Sequence, residues 1–234
     1  MITVSQLVKQ YGTVTALDNV SFVFENQQVT AIMGENGAGK STLLKICAGI
    51  LAFYQGDVYI DGFSIKTHPL QARSLLGYLP EMPSMYERLT GREFLLYISS
   101  LRKMNNAASI IKHYASQLGM QRFMEYEIGS YSKGMKQKIS IIASMMHEPK
   151  NLLLDEPVWG LDPLTSRTLQ TFIQQRKGTT VIATHSPDLV ESVADLVYII
   201  MKGSVVAHGQ KNKILDTYGS IEDFYFSVGE PSDA

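Results

Sequence analysis

Cysteine is almost missing from the chain: Cys47 is the only one in 234 residues. One thiol cannot close an internal disulfide, so a reducing compartment fits best. Cys47 sits in the apolar run Leu43-Leu44-Lys45-Ile46-Cys47-Ala48 and reads as a small core residue. Long apolar runs are missing too. A spanning helix needs about 20 mostly apolar residues, and the longest clean run, Leu196 to Met201, falls far short. The start, Met1-Ile2-Thr3-Val4-Ser5-Gln6, lacks the basic region and apolar stretch of a signal peptide. A role at a membrane therefore has to come through a partner. Charge of one sign is not in excess: 21 Lys and Arg stand against 22 Asp and Glu. Without a basic excess or stripe, a dedicated nucleic-acid binder is disfavoured and no nucleic acid is expected as partner. The chain also has no internal repeat and no low-complexity stretch.

What is present is a hydrophobic content of 45%, enough to bury a real core. Strands are expected at Ile2 to Val8, Val20 to Glu25 and Val29 to Met33. The last runs into a glycine-rich loop and a helix from about Lys40 to Ala48. Short strands follow at Asp57 to Ile60 and Gly77 to Leu79. From about Thr90 to Met146 the spacing of Phe94, Leu95, Ile98 and Leu101 is helical. Alternation then returns: strand Leu152 to Leu154, helix Leu164 to Arg176, strand Thr180 to Ala183, helix Pro187 to Ala194, strand Leu196 to Met201. Strands alternating with helices predict a largely parallel sheet covered on both faces. The reading is one α/β domain over 1–234, with a core of about 1–80 and 149–220. A helical insertion covers about 81–148, and a C-terminal helical piece covers about 221–234.

Gly34-Glu35-Asn36-Gly37-Ala38-Gly39-Lys40-Ser41-Thr42 fits the phosphate-loop pattern GxxxxGK[ST], between a strand and a helix. Glycines let the backbone aim its N–H groups inward, and the helix start adds a positive dipole end. Lys40 should reach the β- and γ-phosphates, and Ser41 should bind Mg2+. By itself this loop means only nucleotide phosphates. Leu152-Leu153-Leu154-Asp155-Glu156 is an apolar strand ending in two acids. Asp155 suits Mg2+ in the Walker B manner. Glu156, next along an alternating strand, points elsewhere and suits a general base for water. Thr184-His185-Ser186 ends another apolar strand, where His185 would reach a γ-phosphate.

Taken in order, these motifs resemble the ABC ATPase family over nearly the whole chain. Tyr11-Gly12, followed by Ala16 to Phe22, resembles the segment that stacks on adenine, which implies that role for Tyr11. Gly77-Tyr78-Leu79-Pro80-Glu81 resembles the segment that usually ends in glutamine. Tyr131-Ser132-Lys133-Gly134-Met135-Lys136-Gln137-Lys138 resembles the signature motif, and Gly160-Leu161-Asp162-Pro163 the D-loop. The resemblance implies the ABC ATPase fold: a phosphate-loop core, an N-terminal antiparallel β part and a helical insertion. It also implies ATP and Mg2+, with Ser41, Asp155 and Glu81 at the metal and Asp162 near the nucleotide.

The resemblance further implies an ATP-sandwiched dimer, of identical chains or with a related one. Each site would take its phosphate loop from one subunit and Ser132 with Gly134 from the other. Ser132 also reads independently as a helix N-cap, and a helix start is an anion site. Glu81 replaces the usual glutamine, and Lys133 and Met135 replace a glycine and a glutamine of the commonest signature. Such substitutions are typical of an exporter-like branch. Glu81 would then sense the γ-phosphate through the metal and relay it to the partner. The implied protein is a transport motor on the cytoplasmic face of a membrane, acting through a separate transmembrane permease, with Met82 to Phe94 bordering the groove for it. Trp159, beside the D-loop, fits either an interface contact or a core filler. Lys136 and Lys138 read as a solvated helix face. A non-transport ABC ATPase, acting on nucleic acid or ribosomes, would usually carry a coiled-coil insertion or two fused ATPase domains. This sequence has neither.

Overall fold

A computed structural model describes residues 1–52 and 54–229. In chain order the strands are β1 (Ile2–Tyr11), β2 (Val14–Phe24), β3 (Val29–Met33), β4 (Gln55–Ile60), β5 (Phe63–Ser64), β6 (Leu76–Leu79), β7 (Asn151–Asp155), β8 (Thr179–Thr184), β9 (Leu196–Met201) and β10 (Ser204–Gln210). The helices are α1 (Lys40–Cys47), α2 (Pro69–Ser74), α3 (Gly91–Leu101), α4 (Ala107–Gln117), α5 (Lys133–Met145), α6 (Pro163–Gln175), α7 (Pro187–Val193), α8 (Lys211–Tyr218) and α9 (Ile221–Gly229).

Two sheets form. One runs β2-β1-β4-β5 and is antiparallel. The other runs β10-β9-β3-β8-β7-β6, parallel throughout except for the antiparallel edge strand β10. Every residue of β7 and β8 is buried, as expected of central strands covered on both faces. Period-two alternation divides β7 between two cores. Leu153 packs with Leu43, Leu44 and Ile46 of α1 and with the antiparallel sheet. Leu152 and Leu154 pack with the helices on the other side, through residues such as Leu95, Ile142 and Leu169. The three α1 residues, fully buried, contribute roughly 1.5–3 kcal/mol each. That outweighs any propensity term in so short a helix and fixes where its first turn, and the loop before it, must lie. Cys47 lies in the same core, and burial pushes its thiol up to about 12.

Between the adjacent strands β6 and β7 the chain makes α3, α4 and α5 and adds no strand to either sheet. Helix α3 starts with a reciprocal cap: the Thr90 side chain accepts from Glu93 N, and Glu93 accepts from Thr90 N. The apolar spacing predicts a broadly helical stretch over about 90–146. In the structure two short 3-10 turns, Gln121–Phe123 and Ile128–Ser130, separate α4 from α5.

Other elements go beyond the expectation. β1 extends to Tyr11 through irregular register, with Gln6 at φ 47°. β5, α2, β10 and α8 were not expected at all. Helix α9 reaches Gly229, and residues 230–234 of the expected C-terminal piece lie outside the described residues. Among the described residues no helix is long and apolar enough to cross a membrane.

Candidate active site

Strand β3 ends at Met33, and the chain turns through 34–39 into α1. Gly39 is the N-cap at φ 106°, and a Cβ there would sit 2.3 Å from Ala16 O of β2. Only glycine satisfies both the left-handed backbone and the close approach. The loop borders a cavity of about 260 Å³, lined by Ala16, Asn36, Gly37, Gly39, Lys40, Ser41, Thr42, Glu81 and Glu156. Gly34 and Ala38 shape the loop from behind. A Cβ at Gly34 would meet Ile200 O at 2.3 Å, and Ala38 is tied to Gly203 N and Glu35 O by backbone hydrogen bonds.

Lys40 folds back over its own loop. Its Nζ donates to Gly34 O at 2.6 Å and to Glu35 O at 3.0 Å. Burial lowers its pKa, opposed by the carboxylates of Glu156, Asp155 and Glu81. Asp155, last residue of β7, has the parity of Leu153 and therefore faces α1. Ser41 Oγ donates to its Oδ1 at 2.9 Å, and its Oδ2 has no partner. Burial pushes Asp155 up to about 6, with Glu81 and Glu156 adding to the rise against the Ser41 hydrogen bond.

Glu156 departs from the sequence argument. Strict alternation would carry it to the opposite face of the sheet. Instead it lies past the strand end with φ 45°, and it lines the same cavity as the phosphate loop. A left-handed backbone at a non-glycine residue costs on the order of 1–3 kcal/mol and is held only by surrounding structure. Here the holding groups are Ala183 O, which accepts from Glu156 N at 2.8 Å, and Thr184 Oγ1, which donates to Oε2 at 3.1 Å. His185 Nδ1 lies 2.8 Å from Oε1, with its side chain largely exposed. Thr184 was missed as a site residue. The only signal was its place before His185 at a strand end.

Other expected residues lie outside this cavity. Tyr11 stands near the β1–β2 turn, 46% exposed, with Lys9 Nζ 4.9 Å from its ring centroid. Ser132 is the N-cap of α5, accepting from Met135 N at 3.3 Å, as expected. Ser132 and Gly134 do not line the cavity of their own chain. Asp162 is not aimed at it either. It caps α6, with Oδ1 accepting from Thr165 N and Oδ2 from Thr165 Oγ1, while Lys138 Nζ lies 3.1 Å away. The Thr165 hydrogen bonds hold its carboxyl well below the usual range. The lysines read as a solvated face are in fact paired: Lys136 with Glu87 at 2.7 Å and Lys138 with Asp162. Trp159 is not a core filler, being 40% exposed.

A second hollow, of about 320 Å³, runs beside the strand that leads to Glu81. Its walls include Ile50, Tyr78, Met85, Phe94, Arg102 and His147. Tyr78 OH and His147 Nδ1 are buried there without partners. Met82 and Tyr86, 72% and 60% exposed, lie on the segment between Glu81 and α3.

Comparison with known proteins agrees with this geometry. The sequence profile of the ABC transporter family matches residues 17–159. The ABC transporter ATP-binding protein NatA of Bacillus subtilis (strain 168) is 32% identical over 227 residues, covering 93% of this chain and 92% of that protein. The bacitracin transport ATP-binding protein BcrA of Enterococcus faecalis is 31% identical over 210 residues, covering 88% and 68%. Among solved structures, an ATP-binding subunit of an ABC transporter superposes with a TM-score of 0.91 at 28% identity, covering 98% of this chain and all of that one. A dimeric cassette with ADP and Pi shares the fold, with a TM-score of 0.82 at 21% identity, covering 90% and 99%. With its phosphate loop set in that fold, the chain belongs to the ABC transporter family and is one of its ATP-binding, ATP-hydrolysing motor domains.

Proposed function

We propose that this motor drives export through a separate membrane-spanning permease, docked at the cytoplasmic face, and that it hydrolyses ATP at sites shared between two cassettes. The observation that carries the catalytic part is the ring of Lys40, Ser41, Asp155, Glu81 and Glu156 around the phosphate loop. The residues fit Mg2+. Asp155 Oδ2 is a buried carboxylate oxygen without a donor, and Ser41 Oγ is beside it. Among the described residues no three His, Cys, Asp or Glu cluster as a closed metal cage. That suits Mg2+, which takes one or two protein oxygens and completes its shell with phosphate oxygens and water. When bound, it neutralises charge developing on the phosphates.

The chain's own groups do the rest. Lys40 exchanges its two loop carbonyls for phosphate oxygens, and backbone N–H groups of the loop and α1 hold the others. Glu156, fixed by Thr184 and His185, keeps free lone pairs on both oxygens and accepts a proton from the attacking water. His185, exposed beside it, orients Glu156 and reaches toward the γ-phosphate. Glu81, on the cavity wall, would hold Mg2+ or its water beside that phosphate. Ser132 and Gly134 stand at the start of a helix that does not line their own cavity. A second chain's nucleotide is the anion such a start would clasp. Tyr11, exposed, would stack on adenine.

The hollow beside Glu81 suits a permease helix. It lies beside the segment that carries Glu81, and its walls are largely apolar. Export is supported by the exporter-like Glu81, Lys133 and Met135, and a transport role by the bacitracin transport relative.

The test is steady-state ATP hydrolysis by the purified chain with Mg2+, measured against protein concentration, beside Glu156→Gln. Composite sites require activity that rises faster than linearly with protein and is lost in the variant. Linear activity, or activity surviving the substitution, contradicts the assignment.

A further inference from the structure

The start of α5 and the turn after β7 are far apart in sequence and tied together in space. Lys133 Nζ stands 4.1 Å from the centroid of the Trp159 ring. Lys138 Nζ lies 3.1 Å from Asp162 Oδ2. Buried Gln137 donates to Pro157 O at 3.4 Å. Gly134 runs so close to Gly160 that a Cβ would be 2.8 Å from Gly160 O. The first segment carries Ser132, and the second begins at Glu156.

The lysine–tryptophan contact stands out because folding does not explain it. Lys133 is exposed, and Trp159, the single tryptophan, leaves 40% of its surface in solvent. Lys133 also occupies a position where the commonest signature has glycine. A cation on an indole face is held by the ring quadrupole, which persists in water at modest strength. The Gln137 and Lys138 ties lie further along the helix, while this contact, beside the Gly134–Gly160 approach, lies at its start.

We propose that Lys133 and Trp159 are positioning residues, whose contact holds the Ser132–Gly134 helix start in fixed register with the Glu156 segment of the same chain. The proposal rests on the shared-site reading above. In a dimer, each chain gives Glu156 to one site and Ser132 to the other. The contact makes these two contributions move together, so closure around one nucleotide aligns the groups serving the second.

The experiment is ATP dependence of hydrolysis by the full chain for Trp159→Ala, Trp159→Phe, Lys133→Gln, Lys133→Arg and the double variant Trp159→Ala with Lys133→Gln, with thermal melting of each. Trp159→Ala and Lys133→Gln should raise the half-saturating ATP concentration about two- to fivefold, the range one exposed cation–π contact supports. Cooperativity in ATP should fall, while kcat at saturation and melting stay near the parent's. The double variant should be no worse than either single one, and Trp159→Phe and Lys133→Arg should recover most of the loss. The proposal is overturned if single effects add in full, if the conservative variants fail to rescue, or if losses track melting. A parent without cooperativity or superlinear activity would overturn the shared-site reading itself. A cooperative parent with unaffected variants would overturn only the positioning role.

Discussion

Replacing Asp155 by asparagine should remove the activity and shift the protein's stability in the variant's favour as the pH rises. Asp155 is fully buried, and its carboxyl is raised from 3.8 to about 6. A carboxyl raised on folding penalises the folded state once it must ionise. The penalty is absent below the unfolded value, grows between the two values and is complete above the folded one. Two units correspond to about 3 kcal/mol at neutral pH and about 1 kcal/mol near pH 4.5. Asparagine does not titrate. It leaves a buried amide in place of the unpartnered Oδ2, an orphan donor costing roughly 1–3 kcal/mol at every pH. The constant part offsets some or all of the gain, but the pH-dependent part stands alone. The difference between Asp155→Asn and the parent should shift by about 2 kcal/mol in favour of the variant between about pH 4.5 and neutrality. Urea unfolding with a chelator at both pH values measures it, equal slopes showing that the same surface unfolds. Adding Mg2+ at neutral pH should narrow the gap from the parent's side. A difference that does not change with pH would refute the claim that Asp155 is held ionised at a cost that metal binding offsets.

Two further outcomes follow from the geometry. His147 is half-buried, and burial, with Arg102 nearby, lowers it to about 4. A depressed histidine gives stability that is present above its unfolded pKa and lost on acidification, about 2 kcal/mol between about pH 7 and about pH 5. His147→Gln should flatten that limb in urea unfolding. Gly134→Ala should lower kcat/KM by about ten- to a hundredfold, because a Cβ 2.8 Å from Gly160 O forces the helix start aside. Unchanged kinetics would mean that the close approach relaxes without consequence.

The parts written in the sequence are those where local chemistry and tertiary structure agree. The 34–42 loop announces itself because glycine spacing, the Lys40-Ser41-Thr42 run and the preceding apolar strand serve one purpose. Strands β7 and β8 are legible because both faces are covered and every position is apolar or hydrogen-bonded. The elements that escaped carry weaker patterns. β5 is two residues long, α2 has no side-chain cap, and β10 is an edge strand with no fully buried residue. The direction of Glu156 was out of reach, because no residue type announces a left-handed glutamate. Its φ is imposed by Ala183 and Thr184, 27 and 28 residues onward. Asp162 shows the reverse. Asp-Pro-x-Thr is a readable helix start, yet the motif resemblance drew attention to the nucleotide instead. Contacts such as Lys133 with Trp159 and Lys138 with Asp162 join distant segments and have no one-dimensional signature.

The central claim is that ATP sits between the 34–42 loop of one chain and the Ser132–Gly134 helix start of another. The most direct test is the solution mass of Glu156→Gln, which should bind ATP without consuming it. With ATP the mass should double, and adding Ser132→Arg, which puts a bulky cation at the exposed helix start, should keep it at that of one chain. A single-chain mass for Glu156→Gln at saturating ATP would contradict the claim for pairs of this chain.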